Sequence, residues 1–229
     1  LVRFLQRHVS IPRSLDSPDP AIIKAGLEAY DPLKSKGKIA IVNSIAETRI
    51  DMFDLSAVQP FKAILIGSER KEGAKAEKNR TGKHVLDTAK RLVEKARKAP
   101  YRLSNDDLII DPGIAPIGAD TEGITKMALD AIQLISHDSE LQGVHFSVGL
   151  SNFSAMLPSK RSDGLSIKTA LENAFLTLAV PLGLDYIIGN MAKDYSLLDS
   201  NHPAYQALVE AIEVGGLEAI MRIRQFYSG

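Results

Sequence analysis

Short apolar runs alternate with helix-like stripes along this chain, and four of the runs stop at Asp or Asn. SLDS carries Asp16, IVNS carries Asn43, LIIDPG carries Asp111, and VHFSVGLSN ends at Asn152. The runs are apolar throughout rather than alternating, the pattern of parallel strands covered on both faces. Strand–helix repeats join parallel strands by crossovers, so every strand points its C-terminus the same way. Four polar tips would then gather at one end of one sheet.

The spacing predicts strands at 11–16, 38–44, 63–67, 108–111, 145–150 and 186–189. Helices are predicted at 20–30, weakly at 47–57, at 82–98, after Asp120 through Ile135, at 168–180, at 203–214 and at 217–226. Asp19 and Asp120 are candidate N-caps, and Pro20 suits a first helical turn. In the helix at 82–98, Val85, Leu86, Ala89, Leu92, Val93 and Ala96 share one face. Lys83, Asp87, Lys90, Glu94 and Arg97 face away and read as a solvated surface. Residues 68–82 read as a polar loop rich in Lys and Glu, long enough to be mobile or functional.

Six such units fit most of a (β/α)8 TIM barrel in a single domain spanning residues 1–229. A complete barrel typically needs about 250 residues. The chain opens on Leu1, in what reads as the end of an amphipathic helix, so the first two strand–helix units are expected to be missing from it. The alternative is an open doubly wound sheet. No Gly-rich phosphate loop follows any strand, which weighs against a nucleotide-binding version of that fold.

Composition narrows the function classes. With 45% hydrophobic and 24% charged residues the chain is ordinarily globular. Lys plus Arg balance Asp plus Glu at 28 each, so nothing global favours nucleic acid or an anionic membrane. Cys is absent, which excludes disulfides, thiolate nucleophiles and Cys-ligated metals. No apolar run reaches the roughly 18 residues a bilayer span needs, and no signal-peptide pattern opens the chain. Cytoplasmic is the default expectation.

The strand tips read Asp16, Asn43, Ser68, Asp111, Asn152 and Asn190. Carboxylates and carboxamides suit a flat, nitrogen-rich heterocycle, because Asp accepts two hydrogen bonds from an amidine-like edge while Asn donates and accepts together. The plainer reading is that Asp and Asn end strands because they favour turns. None of His8, His84, His137, His145 and His202 forms a metal-ligand spacing. His137 and His202 read as surface or capping residues, and His145 as a packing residue of a strand. Tyr30, Tyr101 and Tyr195 have no readable activating neighbour. Lys160 and Arg161 follow the LSN loop; they are either solvated loop cations or the rim of a site.

SLDSPDP, IVNSI, DLIIDPGI, VGLSNFS followed by LP, and GLDYIIGN resemble, in that order, the pterin-binding methyltransferases. These include the methyltetrahydrofolate–corrinoid protein methyltransferases and the folate domain of cobalamin-dependent methionine synthase. The resemblance covers residues 11 to 190 and implies a TIM barrel of the dihydropteroate-synthase-like type. It implies that Asp16, Asn43 and Asp111 hold the pterin ring, with Asn190 in the same set. Asn152 would hydrogen-bond the methylated ring nitrogen and act as the catalytic residue. Ser68, Lys160 and Arg161 would stand at the rim, near a folate glutamate tail or a partner.

The implied reaction moves a methyl group from methyltetrahydrofolate, or a related methyl-tetrahydropterin, to the Co(I) corrinoid of a partner. The DxHxxG pattern of corrinoid modules is absent, so the cobalamin would arrive on another protein or domain. No protein-bound metal is implied, and a homodimer is left open. Dihydropteroate synthase shares the implied fold and pterin pocket and is the close competitor. It expects a Lys soon after the DPG segment and a Ser-Arg-Lys cluster where this chain has Ser151-Asn152-Phe153. A third reading is a non-catalytic pterin-binding subunit of a larger assembly.

Overall fold

The structure, a computed structural model, describes residues 1–228. The chain divides into two compact units, each drawn from three separate stretches. Leu1–Asn79, Val85–Asp111 and Asp138–His145 make the first; Arg80–His84, Pro112–His137 and the described residues from Phe146 onward make the second.

The first unit opens with helix α1 (Val2–Leu5), strand β1 (Ser14–Asp16) and helix α2 (Pro20–Ala29). The Asp19 carboxylate accepts from Ala21 N–H at 2.8 Å, so the expected cap forms, with Pro20 in the first turn. Strand β2 (Ala40–Ile45) follows, then a 3-10 segment (Glu47–Ala57) and strand β3 (Phe61–Ile66). The segment expected as a weak helix is 3-10 with a non-helical break at Arg49.

Residues expected as a polar loop fold instead into a hairpin of β4 (Glu69–Glu72) and β5 (Lys75–Lys78). Glu69 faces Lys78, Arg70 faces Glu77 and Glu72 faces Lys75. Opposite charges across an antiparallel pair stabilise it without any apolar alternation. Gly73 turns the chain at φ +60°, a backbone region open to glycine. Most of helix α3 (Gly82–Ala96), from Val85 on, and strand β6 (Leu108–Asp111) complete the unit's main elements.

Strands β1, β2, β3 and β6 pair in parallel. Leu108, Ile109 and Ile110 are buried in succession, so both faces of β6 are covered. The whole predicted stripe of α3, Val85 through Ala96, is buried. Its outer face is less free than expected: Lys90 pairs with Asp138 at 2.7 Å, and Arg97 donates to the Glu140 carbonyl at 2.8 Å.

The second unit holds helix α4 (Ile124–Ser136), most of strand β7 (His145–Val148), short helix α5 (Leu150–Phe153), helix α6 (Ile167–Ala179), strand β8 (Tyr186–Ile187), helix α7 (Pro203–Val214) and helix α8 (Gly216–Ser228). The Asp120 carboxylate accepts from the N–H groups of Ile124 and Thr125, both at 2.7 Å, and caps α4 as expected. Strands β7 and β8 are parallel, Ser147 opposite Tyr186 and Val148 opposite Ile187. Both are shorter than predicted. Phe153 and Phe175 pack at 5.1 Å between ring centroids and seat α5 on α6. Parallel strands followed by helices in each unit are compatible with part of a (β/α) barrel.

Candidate functional site

In the first unit, Asp16 ends β1 and lies in register with Asn43 of β2. The Asn43 carboxamide donates to the Asp16 carboxylate at 3.2 Å. Immediately after Asn43 the β2–β3 register shifts, and Ile45 takes the next pairing. Asp111 ends β6, in register with Ile66. Because these strands are parallel, Asp16, Asn43 and Asp111 share the C-terminal end of one sheet. Asp16 is exposed, and Asn43 and Asp111 are half-buried. A carboxylate, a carboxamide and a second carboxylate at one edge can accept from, and donate to, a planar ring that presents both N–H and lone-pair edges.

Ser68 follows the tip of β3. Its carbonyl accepts from Asn79 N–H at 2.8 Å. Gly67, just before it, donates to the Asp111 carbonyl at 2.7 Å. A Cβ on Gly67 would lie 2.9 Å from Val85 Cγ1 and 3.2 Å from that carbonyl, so this close approach needs glycine. Two polar residues that sequence reasoning missed root the hairpin here. Asn79, 1% exposed, donates to the Gly67 carbonyl at 2.8 Å and to Thr88 Oγ1 at 2.9 Å. Glu47 accepts from Lys71 N–H at 2.7 Å and from the Arg91 guanidinium, 2.5 Å at Nε. That carboxylate, with desolvation opposing, raises the Arg91 pKa.

In the second unit, Asn152 lies on α5 rather than on a strand tip, because β7 stops at Val148. Its backbone N–H donates to the Gly149 carbonyl at 2.8 Å, and its side chain is exposed. Asn190 follows β8 and is exposed. Its side-chain oxygen accepts from Ala192 N–H at 2.9 Å, and its backbone N–H donates to the Tyr195 hydroxyl at 3.0 Å. Tyr195 thus has a role the sequence did not show.

Lys160 is exposed and bridges to Ser166. Arg161 is committed elsewhere: it pairs with Asp163, donates to the Phe226 carbonyl at 3.3 Å and lies 5.4 Å from the Phe226 ring centroid. The hydrogen bond from Arg161 holds the Asp163 carboxyl down at about 2.

Helix α6 buries Ala170, Leu171, Ala174 and Phe175 and contributes polar groups beside them. Glu172 is fully buried; it accepts from Ser154 Oγ and pairs with Lys193 Nζ at 2.5 Å. Asn173 donates to Ser196 Oγ at 3.2 Å and accepts from Ser196 N–H at 3.3 Å. Thr177 Oγ1 accepts from Leu198 N–H at 2.8 Å. A signal was present: this helix carries only Lys168 and Glu172 as charges, too few for a solvated face.

Two of the histidines make defined contacts. His202 Nδ1 accepts from Ala204 N–H at the start of α7, the expected capping role. His145 does more than pack, since its Nε2 lies 3.3 Å from Asp106. Lys62 and His145 together hold the Asp106 carboxyl below its ordinary range. Among the described residues, no group of three or more His, Asp or Glu could hold a metal ion. No helix among them is long and apolar enough to cross a membrane.

A methylcorrinoid:tetrahydrofolate methyltransferase of Eubacterium limosum is 24% identical to this chain over 193 residues, 81% of the chain and 61% of that protein. The chain therefore spans about three-fifths of that relative's length. The family profile described as pterin binding enzyme matches residues 1–190. That match takes in every strand and all the polar tips described above, and the chain belongs to the pterin-binding enzyme family.

Proposed function

We propose that this protein transfers a methyl group between a methyl-tetrahydropterin, methyltetrahydrofolate in the simplest case, and the corrinoid of a partner protein. Membership of the pterin-binding family supports the substrate class. The name of the Eubacterium limosum relative supports the reaction class. The single observation that carries the reading is the set of Asp16, Asn43 and Asp111 at one end of one parallel sheet, with Asn43 bonded to Asp16.

In this reading Asp16 and Asp111 accept from the amidine-like edge of the pterin, and Asn43 donates and accepts beside them. The N5–methyl bond is the one that breaks. A tertiary amine leaves poorly unless N5 gains a proton before or during the transition state. The role given to the Asn152 carboxamide in this reading is to stabilise that developing charge without titrating itself. Asn190 is a further candidate pterin contact, with its backbone fixed by Tyr195. The corrinoid, carried on another protein, supplies the nucleophile as Co(I). The relative's name writes the transfer from methylcorrinoid to tetrahydrofolate. The two directions share one transition state, so the same residues serve both. Lys160 is the candidate cation for meeting the partner, and Arg161 next to it is anchored by its hydrogen bond to the Phe226 carbonyl of α8.

The test is a single-turnover experiment with purified protein, methyltetrahydrofolate and Co(I) cobalamin. The proposal expects the Co(I) spectrum to be replaced by that of methyl–Co(III). A Co(I) spectrum that decays no faster than in the absence of protein contradicts it.

A further inference from the structure

We propose that Glu172 is a positioning residue: one buried carboxylate oxygen fixes both the turn that carries Asn152 and the turn that carries Asn190. The inference rests on the methyl-transfer reading above for the roles of those two residues.

Glu172 sits on α6 with no exposure. Its Oε1 accepts from Ser154 Oγ and from Lys193 Nζ. Ser154 is itself 1% exposed and ends α5, two residues after Asn152. Lys193 donates its backbone N–H to the Asn190 carbonyl at 3.0 Å. One oxygen therefore restrains the backbone on either side of the second unit's candidate site. The other oxygen, Oε2, is buried without a hydrogen-bond partner.

Stability does not explain this arrangement. A buried ion pair is often matched or exceeded by apolar side chains of the same volume, and an unpartnered buried oxygen adds a desolvation penalty. The penalty is accepted where geometry matters, since a misplacement of about 1 Å near a reacting centre costs about a hundredfold in rate. The neighbours of Glu172 work in the same direction: Asn173 holds Ser196, and Thr177 holds Leu198. Glu172 alone reaches both turns.

The burial of the partners is unequal. The Lys193 side chain is 20% exposed and Glu172 is sealed. In Glu172→Gln the lysine can turn its ammonium into water. In Lys193→Met the carboxylate is left without a counter-charge. Lys193→Arg keeps the charge and the donor.

The experiment uses all three variants with methyltetrahydrofolate and Co(I) cobalamin. It reads the single-turnover rate, the pterin affinity, the thermal midpoint, and the side-chain amide NMR signals of Asn152 and Asn190. Glu172→Gln and Lys193→Met should each slow transfer by about tenfold or more, with pterin affinity within about twofold. Lys193→Arg should keep at least about half the rate, because charge and donor both remain. Both amide signals should shift or broaden in Glu172→Gln, although neither residue touches it. Wild-type rates in Glu172→Gln overturn the proposal, as do amide signals that do not move. If Glu172→Gln does not fold, equal rates for Lys193→Met and Lys193→Arg overturn it instead. A wild-type protein that transfers no methyl group defeats the functional reading, and the amide signals still decide whether Glu172 holds both turns.

Discussion

The two units hold their polar residues in different ways. In the first, Asp16, Asn43 and Asp111 ride on paired strands, so sheet register sets where each side chain starts. In the second, Asn152 and Asn190 ride on turns and are held by side chains reaching out from α6 and by Tyr195. A ladder of backbone hydrogen bonds is rigid, and several must break together before one residue moves. A turn tethered through single side-chain bonds gives way one bond at a time. The rigid set suits recognition of a flat ring. In the proposed reaction, the tethered set suits a carboxamide whose hydrogen bonding strengthens as charge develops on N5.

The largest expected effect tests the tethered set. Asn152→Ala should lower the single-turnover methyl-transfer rate by about 10²–10³ while pterin affinity changes far less. Rapid-mixing spectroscopy of the corrinoid, with a separate pterin titration, checks this. An equal fall in rate and affinity would place Asn152 with the binding set and erase the distinction between the units.

Asp16→Ala should behave in the opposite way. Losing a charged acceptor should weaken pterin binding by about 1.5–3 kcal/mol. A double-mutant cycle with Asn43→Ala should show coupling, since the two side chains share a hydrogen bond. Additive losses measured by calorimetry would mean that the bond does not organise the site.

A stability effect sharpens the same contrast. Asn173→Ala removes the bonds to Ser196 and leaves polar backbone without its partner, at a cost of about 1–3 kcal/mol. Hydrogen exchange should report the loss at residues 194–198 before it reaches the amides of β2. Loss spread evenly over both units would argue that α6 is general scaffold.

The smallest effect is one of pH. The Asp163 carboxyl, held at about 2 by Arg161, lies below an unfolded value of about 3.9. A depressed carboxylate pKa contributes stability that is present above the unfolded value and is lost as pH falls through the folded one. The Arg161–Asp163 pair should therefore survive mild acid and open only toward pH values of about 2. Carboxyl NMR can follow this, and Arg161→Ala should return Asp163 toward its ordinary range.

Much of this arrangement was legible because it follows from periodicity and local chemistry. Strand β6 and helix α7 have the expected bounds, Leu108–Asp111 and Pro203–Val214. Asp19 and Asp120 cap where a carboxylate ahead of an apolar stripe should. Asp16, Asn43 and Asp111 stood out because each interrupts an apolar run. The hairpin was illegible because neither of its faces is apolar: it is held by cross-strand charges, and in sequence that looks like a solvated loop. Asn79, Glu47, Glu172 and Asn173 were missed for a related reason. Each bonds to a group far away in sequence, and hydrophobic spacing says nothing about where a buried polar residue finds its partner. In sequence Gly149 and Leu150 extend the apolar run and point to a strand tip at Asn152; the chain instead turns at Gly149 into α5.

The most direct measurement for the account is a calorimetric titration of tetrahydrofolate into the wild-type protein and into Asp111→Ala. Asp111 ends β6 and carries no assigned part in methyl departure. The account predicts saturable binding to the wild type and a loss of about tenfold or more in affinity for the variant, in line with removal of a charged hydrogen-bond acceptor. Equal affinity in the two proteins, with both folded by circular dichroism, would contradict the claim that the strand ends of the first unit hold the pterin.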